Sequence, residues 1–163
     1  MEGVLLSPAS LRDLRQVMRL ERVCFGVDAW PVLDVMSVLV WPGGVRLRAT
    51  LDRKLIGLIT AEPAWRDGIS MITTIGVVPE YRRLGVGSEL LTGCESLLPG
   101  EKIRLTVRED NQSAIRLYEQ FHYTYLTKVP NYYRDGRSGL VMEKTKDTGR
   151  FKFQQPPLGG ISK

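Results

Sequence analysis

The chain has 163 residues, 43% hydrophobic and 25% charged, which is the make-up of one soluble globular domain with a full-sized core. Its net charge of +5 is modest, and the basic residues are scattered apart from Arg82-Arg83 and the C-terminal end, so nucleic-acid binding is not indicated. Cys24 and Cys94 are too few for a disulfide scaffold, match no metal-ligand spacing and point to the cytoplasm. No basic-then-apolar leader opens the sequence, so no signal peptide is expected. The longest apolar run, Val32 to Trp41, is interrupted by Asp34 and too short to span a bilayer.

Val4 to Leu6 reads as a first short strand closed by Ser7-Pro8. Ser10 is placed to cap a helix in which Leu11, Leu14, Met18, Glu21 and Phe25 recur at three- and four-residue spacing, ending near Gly26. A second helix is predicted from Val32 to Val40, entered through Pro31 and closed by Pro42-Gly43-Gly44. Val45 to Leu51 and Leu55 to Ala61 are β-rich runs joined by Asp52-Arg53-Lys54, a hairpin. A loop from Glu62 to Gly68, with Arg66-Asp67-Gly68 as turn chemistry, leads into a fourth strand, Ile69 to Val78. A helix follows from Ser88 to Leu98 and stops at Pro99-Gly100; then come a strand over Lys102 to Arg108, a helix over Gln112 to Phe121, and closing strands Tyr123 to Val129 and Ser138 to Lys144. The domain is expected to end at residue 145, with 146–163 a mobile basic tail in which Phe151 and Phe153 are the only anchors.

Chemistry concentrates between Ile75 and Leu91. An apolar strand there is stopped by Pro79, and the basic glycine turn Arg82-Arg83-Leu84-Gly85-Val86-Gly87 leads to Ser88 and a helix start. Unpaired N–H groups, the positive end of a helix dipole and two arginines together suit a phosphate, and glycine lets the backbone touch it. The plain alternative is an ordinary strand-to-helix turn carrying two solvated arginines. The turn is neither a P-loop, since no Gly-Lys-Ser/Thr follows, nor a dinucleotide fingerprint.

This turn resembles the Arg/Gln-x-x-Gly-x-Gly/Ala coenzyme A turn of the GNAT superfamily of N-acetyltransferases. About twenty residues on, Val107-Arg108-Glu109-Asp110-Asn111-Gln112-Ser113-Ala114-Ile115-Arg116-Leu117-Tyr118-Glu119 resembles the strand–Asn–helix–Tyr element of that superfamily, in the form of the ribosomal-protein alanine N-acetyltransferases and the N-terminal acetyltransferases. The resemblance implies an α/β fold with a twisted mixed sheet of about seven strands flanked by helices on both faces. It also implies a splay between the fourth and fifth strands that admits the pantetheine arm. It implies acetyl-CoA as donor, held by Ile75, Val77, Val78, the turn 82–88 and Asn111. It implies further that the Tyr118 hydroxyl protonates the departing thiolate and that the N–H around Val77 faces the oxyanion. Without the resemblance, Asn111 reads as an N-cap and Tyr118 as a half-buried aromatic whose hydroxyl finds a carbonyl.

The sequence departs from these relatives at Thr106, where they carry a Glu or His that acts as general base. Tyr81 and Glu62 are the remaining catalytic candidates, each open to a structural or surface role. His122 stands where relatives have glycine and reads as a left-handed helix cap. An α-amine is roughly a tenth deprotonated at neutral pH and a lysine about one part in a few thousand, so a site without a strong base suits the α-amine. Phe25, Trp30, Tyr132 and Tyr133 lie where N-terminal acetyltransferases build their peptide groove, although hairpin packing alone explains the two tyrosines. The expected function is acetyl transfer to a protein or peptide N-terminus, by a monomer or homodimer. The alternatives are a small-molecule amine as acceptor, or a non-catalytic acyl-CoA-binding module.

Overall fold

A computed structural model describes residues 3–64 and 67–146. Arg66 of the expected turn and most of the expected tail, including Phe151 and Phe153, lie outside the described residues. Lys146, the first tail residue, is held: its N–H reaches the Glu101 carbonyl at 2.7 Å.

Seven strands form one sheet in the order β1-β2-β3-β4-β5-β7-β6: β1 Leu5–Pro8, β2 Val45–Leu51, β3 Lys54–Glu62, β4 Ile69–Val77, β5 Lys102–Arg108, β6 Thr124–Val129 and β7 Gly139–Thr145. All neighbours are antiparallel except β4 and β5. The helices are α1 Leu14–Phe25, α2 Val32–Val40, α3 Val86–Leu97 and α4 Gln112–Gln120. This is the α/β architecture the sequence predicts.

The β-branched, apolar composition of β3 places it centrally, and every residue from Leu55 to Ala61 is buried. On one face Val17 and Leu20 of α1 and Val35 and Leu39 of α2 pack against Leu55 and Leu58. On the other, Val86, Leu90, Leu91 and Cys94 of α3 pack with Ile56, Ile59, Ile103 and Leu105. Leu11, assigned to the core stripe of α1, is 44% exposed because a 3-10 turn over Leu11–Asp13 precedes the helix and shifts its phase.

One boundary that bears on the site differs from the expected one, and one cap agrees with it. Helix α3 begins at Val86 rather than Ser88, with Gly85 as its N-cap, because Val86 is an apolar residue that docks into the core at 2% exposure. At the end of α4, His122 adopts φ +67, the left-handed cap its position calls for.

Candidate active site

Strands β4 and β5 pair only over Ile69–Ile72 with Lys102–Leu105. Beyond that seam Thr73–Val77 and Thr106–Arg108 carry on without pairing to each other, and a cavity of about 1280 Å³ opens between and beyond them. A register shift opposite Thr60 and Ala61 leaves Thr73 as an extra residue in β4, where its hydroxyl lies 2.6 Å from the Thr60 hydroxyl. Such a bulge bends and twists the strand that carries it.

Strand parity decides which amides face the cavity. The Val78 N–H donates to the Ile56 carbonyl at 2.9 Å, so alternation turns the N–H groups of Val77 and Ile75 away from β3 and toward the splay. Val78, counted among the cofactor residues from sequence, therefore spends its amide on the sheet and is absent from the cavity lining. The Val77 carbonyl receives the Arg82 Nε at 2.9 Å and the Cys24 thiol at 3.4 Å.

Pro79–Tyr81 forms a 3-10 turn, after which Arg83 and Gly85 take φ +61 and +85. A Cβ built on Gly85 meets nothing within 4 Å, so the space beside it is open. The N-cap, Gly85, has no side chain to offer the first turn of α3, whose amides lie beside Arg82, Arg83, Gly85, Gly87 and Ser88, all of which line the cavity. Leu84 is 49% exposed and outside the lining, and the Val86 side chain is in the core.

Helix α4 forms the opposite wall. The Asn111 side chain accepts from the Ala114 N–H at 3.1 Å, so it is the N-cap and also a lining residue. Tyr118 lies on the same face, 4% exposed, its ring edge-on to Tyr123 with centroids 5.9 Å apart. Among the described residues nothing hydrogen-bonds its hydroxyl, although the residue lines the cavity. Burial, with a smaller contribution from Tyr133, pushes this phenol above its ordinary value, so it stays protonated at neutral pH.

Phe25 is the last residue of α1 and Trp30 lies in the segment after it, and Tyr132 and Tyr133 come from the loop between β6 and β7. All four line the cavity, with the two tyrosine rings 5.1 Å apart edge to face. Burial raises the Tyr133 phenol to about 12. Gly139 sets this wall: a Cβ there would fall 2.6 Å from the Thr106 methyl and 3.0 Å from the Tyr132 ring. Glu62 reaches the lining from the end of β3, whereas Tyr81 does not and packs against the α3 side of the core.

Sequence reasoning missed Arg108 and its partners. Its guanidinium reaches Asp28 at 2.5 Å, Asp135 at 2.6 Å and Asp110 at 3.2 Å, and lies 4.8 Å from the Tyr133 ring centroid. Asp110 is two residues from Arg108, but Asp28 and Asp135 are far from it in the chain, and no local pattern pairs them with it.

A splayed mixed sheet with a helix N-terminus at one side of the opening and a buried phenol at the other leaves room for an extended ligand, as a group transferase requires. The sequence profile of the acetyltransferase (GNAT) family matches residues 14–123, and the chain belongs to that family. GNAT acetyltransferases use acetyl-CoA. The chain is 30% identical over 111 residues to N-alpha-acetyltransferase 20 of Dictyostelium discoideum, a match spanning 64% of each chain. It is 26% identical over 150 residues to the N-alpha-acetyltransferase of Sulfolobus acidocaldarius, covering 82% of this chain and 88% of that one. The crystal structure of the ribosomal-protein-S18-alanine N-acetyltransferase from Escherichia coli has the same fold, with a TM-score of 0.77 at 23% identity over 87% of this chain and 93% of that one.

Proposed function

We propose that the protein transfers an acetyl group from acetyl-CoA directly to the N-terminal α-amine of a protein or peptide. One observation carries the reading: one cavity is lined both by the Arg82–Ser88 turn with Tyr118 and by two aromatic pairs from separate segments, Phe25 with Trp30 and Tyr132 with Tyr133. The turn and the first α3 amides hold the diphosphate, and the splayed edge of β4 with Asn111 holds the pantetheine arm. The Val77 N–H faces the oxygen on which negative charge develops. As the amine nitrogen bonds to the carbonyl carbon and the C–S bond breaks, the Tyr118 hydroxyl donates to sulfur.

Thr106 lines the cavity but has no basic group, and Arg108 already engages Asp28, Asp110 and Asp135. Glu62 is the candidate carboxylate that remains at the lining, acting through a water. The α-amine needs little help, since about a tenth of it is neutral at physiological pH. The cavity holds both reactants in line, and this positioning supplies much of the rate.

The test is turnover of acetyl-CoA with short peptides of varied first residue, beside a panel of amino acids, polyamines and lysine side-chain peptides. Acetylation at the peptide N-terminus, located by mass spectrometry, is expected. Activity confined to the small amines overturns the acceptor assignment.

A further inference from the structure

Arg108 closes β5 with more ionic partners than a strand end needs, and one of them joins two segments distant in the chain. Asp28 follows α1 by a few residues; one of its carboxylate oxygens accepts from Arg108 at 2.5 Å, and the other accepts the backbone N–H of Arg134 at 3.1 Å. Arg134 directly follows Tyr132 and Tyr133, and Asp28 lies between Phe25 and Trp30. Arg108 is also tied to Asp135 on the same hairpin and lies against the Tyr133 ring. The Asp28 side chain is 14% exposed and that of Arg108 25%, so the pair escapes much of the screening that weakens surface ion pairs.

We propose that Asp28 is a positioning residue for the acceptor: with Arg108 it latches the two aromatic walls of the cavity mouth at a fixed separation. This rests on the N-terminal reading above and deepens it. A latched groove has two walls to offer an extended chain. A compact amine reaches the reacting centre without touching both. The latch therefore selects peptides by binding, and it takes no part in bond making. Its loss lets the loop after α1 and the β6–β7 loop move apart, and the cost falls on acceptor affinity while the diphosphate site at the start of α3 is untouched.

The experiment compares Asp28→Ala and Asp28→Asn with the parent protein. Asn keeps an oxygen for the Arg134 N–H but loses the attraction for Arg108, so its effect is intermediate. For Asp28→Ala, KM for a tetrapeptide with a free N-terminus rises about tenfold, in keeping with the strength of a charge-assisted hydrogen bond. The value of kcat changes by less than about twofold, as expected when only uniform binding is lost. KM for a single amino-acid amide and the calorimetric affinity for acetyl-CoA stay unchanged. Amide hydrogen exchange, measured with no acceptor present, accelerates at residues 26–30 and 131–137 and not in α3. Unchanged exchange in both segments overturns the latch, as does a KM increase equal for the tetrapeptide and the amide. If the parent enzyme accepts no peptide at all, the N-terminal reading falls, and the exchange measurement still decides the latch.

Discussion

Replacing Tyr118 by Phe removes a single hydroxyl from the cavity wall. The ring keeps its edge-on contact with Tyr123, and no described residue hydrogen-bonds the hydroxyl, so no partner is orphaned and folding stability changes by less than about 1 kcal/mol. The kinetic effect depends on how far the proton travels. A phenol ordinarily titrates near about 10 and a thiol near about 8.5, and burial moves Tyr118 further up. Complete transfer to the departing sulfur is then uphill by at least about 2 kcal/mol. A hydrogen bond donated while charge builds on sulfur carries no such cost. Loss of a donor of this kind lowers kcat about 100-fold, ~2.7 kcal/mol, the low end of the range for acid–base groups. The assay is thiol release at saturating acceptor, with calorimetric titration of acetyl-CoA as the control for an intact donor site. A kcat within twofold of the parent, with acetyl-CoA bound normally, refutes the role given to Tyr118. A loss beyond about 10⁴-fold refutes the argument that the proton is only shared.

Other outcomes follow from the same geometry. Arg83→Ala weakens acetyl-CoA binding about five- to tenfold and flattens its dependence on salt, read by titration at two ionic strengths; equal salt slopes for variant and parent would place Arg83 away from the diphosphate. Thr106→Ala leaves kcat within about threefold, because a hydroxyl accepts no proton at neutral pH, and kcat/KM rises with pH in step with the neutral fraction of the acceptor amine; Glu62→Gln lowers kcat/KM, and an unchanged rate removes Glu62 as the proton acceptor. Glu21 is buried, and its carboxyl is raised by desolvation, opposed by the Trp30 N–H at 3.1 Å. A carboxyl raised in the folded state favours the protonated form, so its contribution is favourable at acid pH and turns into a penalty as pH climbs. Glu21→Gln accordingly raises the denaturation midpoint at neutral pH, and the gain disappears below about pH 4. Burial also lifts the phenols of Tyr118, Tyr123 and Tyr133. The unfolded chain loses these protons first, so the stability they contribute is intact below about pH 10 and declines above it, as urea titrations near about pH 8 and about pH 11 would register.

Local pattern made much of the fold legible. Alternation and β-branching located the strands, and the Gly85 turn stood out because a left-handed N-cap beside open space has few sequence solutions. His122 was legible for the same reason. Ser7-Pro8, expected to close the first strand, instead pairs within β1, where proline is tolerated because the strand is at the sheet edge. The start of α3 was displaced because the glycine motif drew attention from Val86, whose burial brings the helix forward to that residue. Val78 fell on the wrong side because strand parity is fixed by a partner, Ile56, that no local pattern names. Tyr81 sits beside the arginines in sequence, yet a 3-10 turn aims it at the core and away from the cavity. The Arg108 network was illegible for a related reason: its carboxylates come from three separate segments, each unremarkable by itself.

The short seam between β4 and β5 makes the molecule two half-sheets joined along a few rungs, like a book bound at one end of its spine. In the donor site proposed above, a pantetheine arm laid in the opening takes the place of the missing rungs, its amides offering Ile75 and Val77 the partners that β5 withholds. On that proposal the donor becomes a piece of architecture while it is bound, and amide exchange in Thr73–Val77 is expected to slow when acetyl-CoA is added.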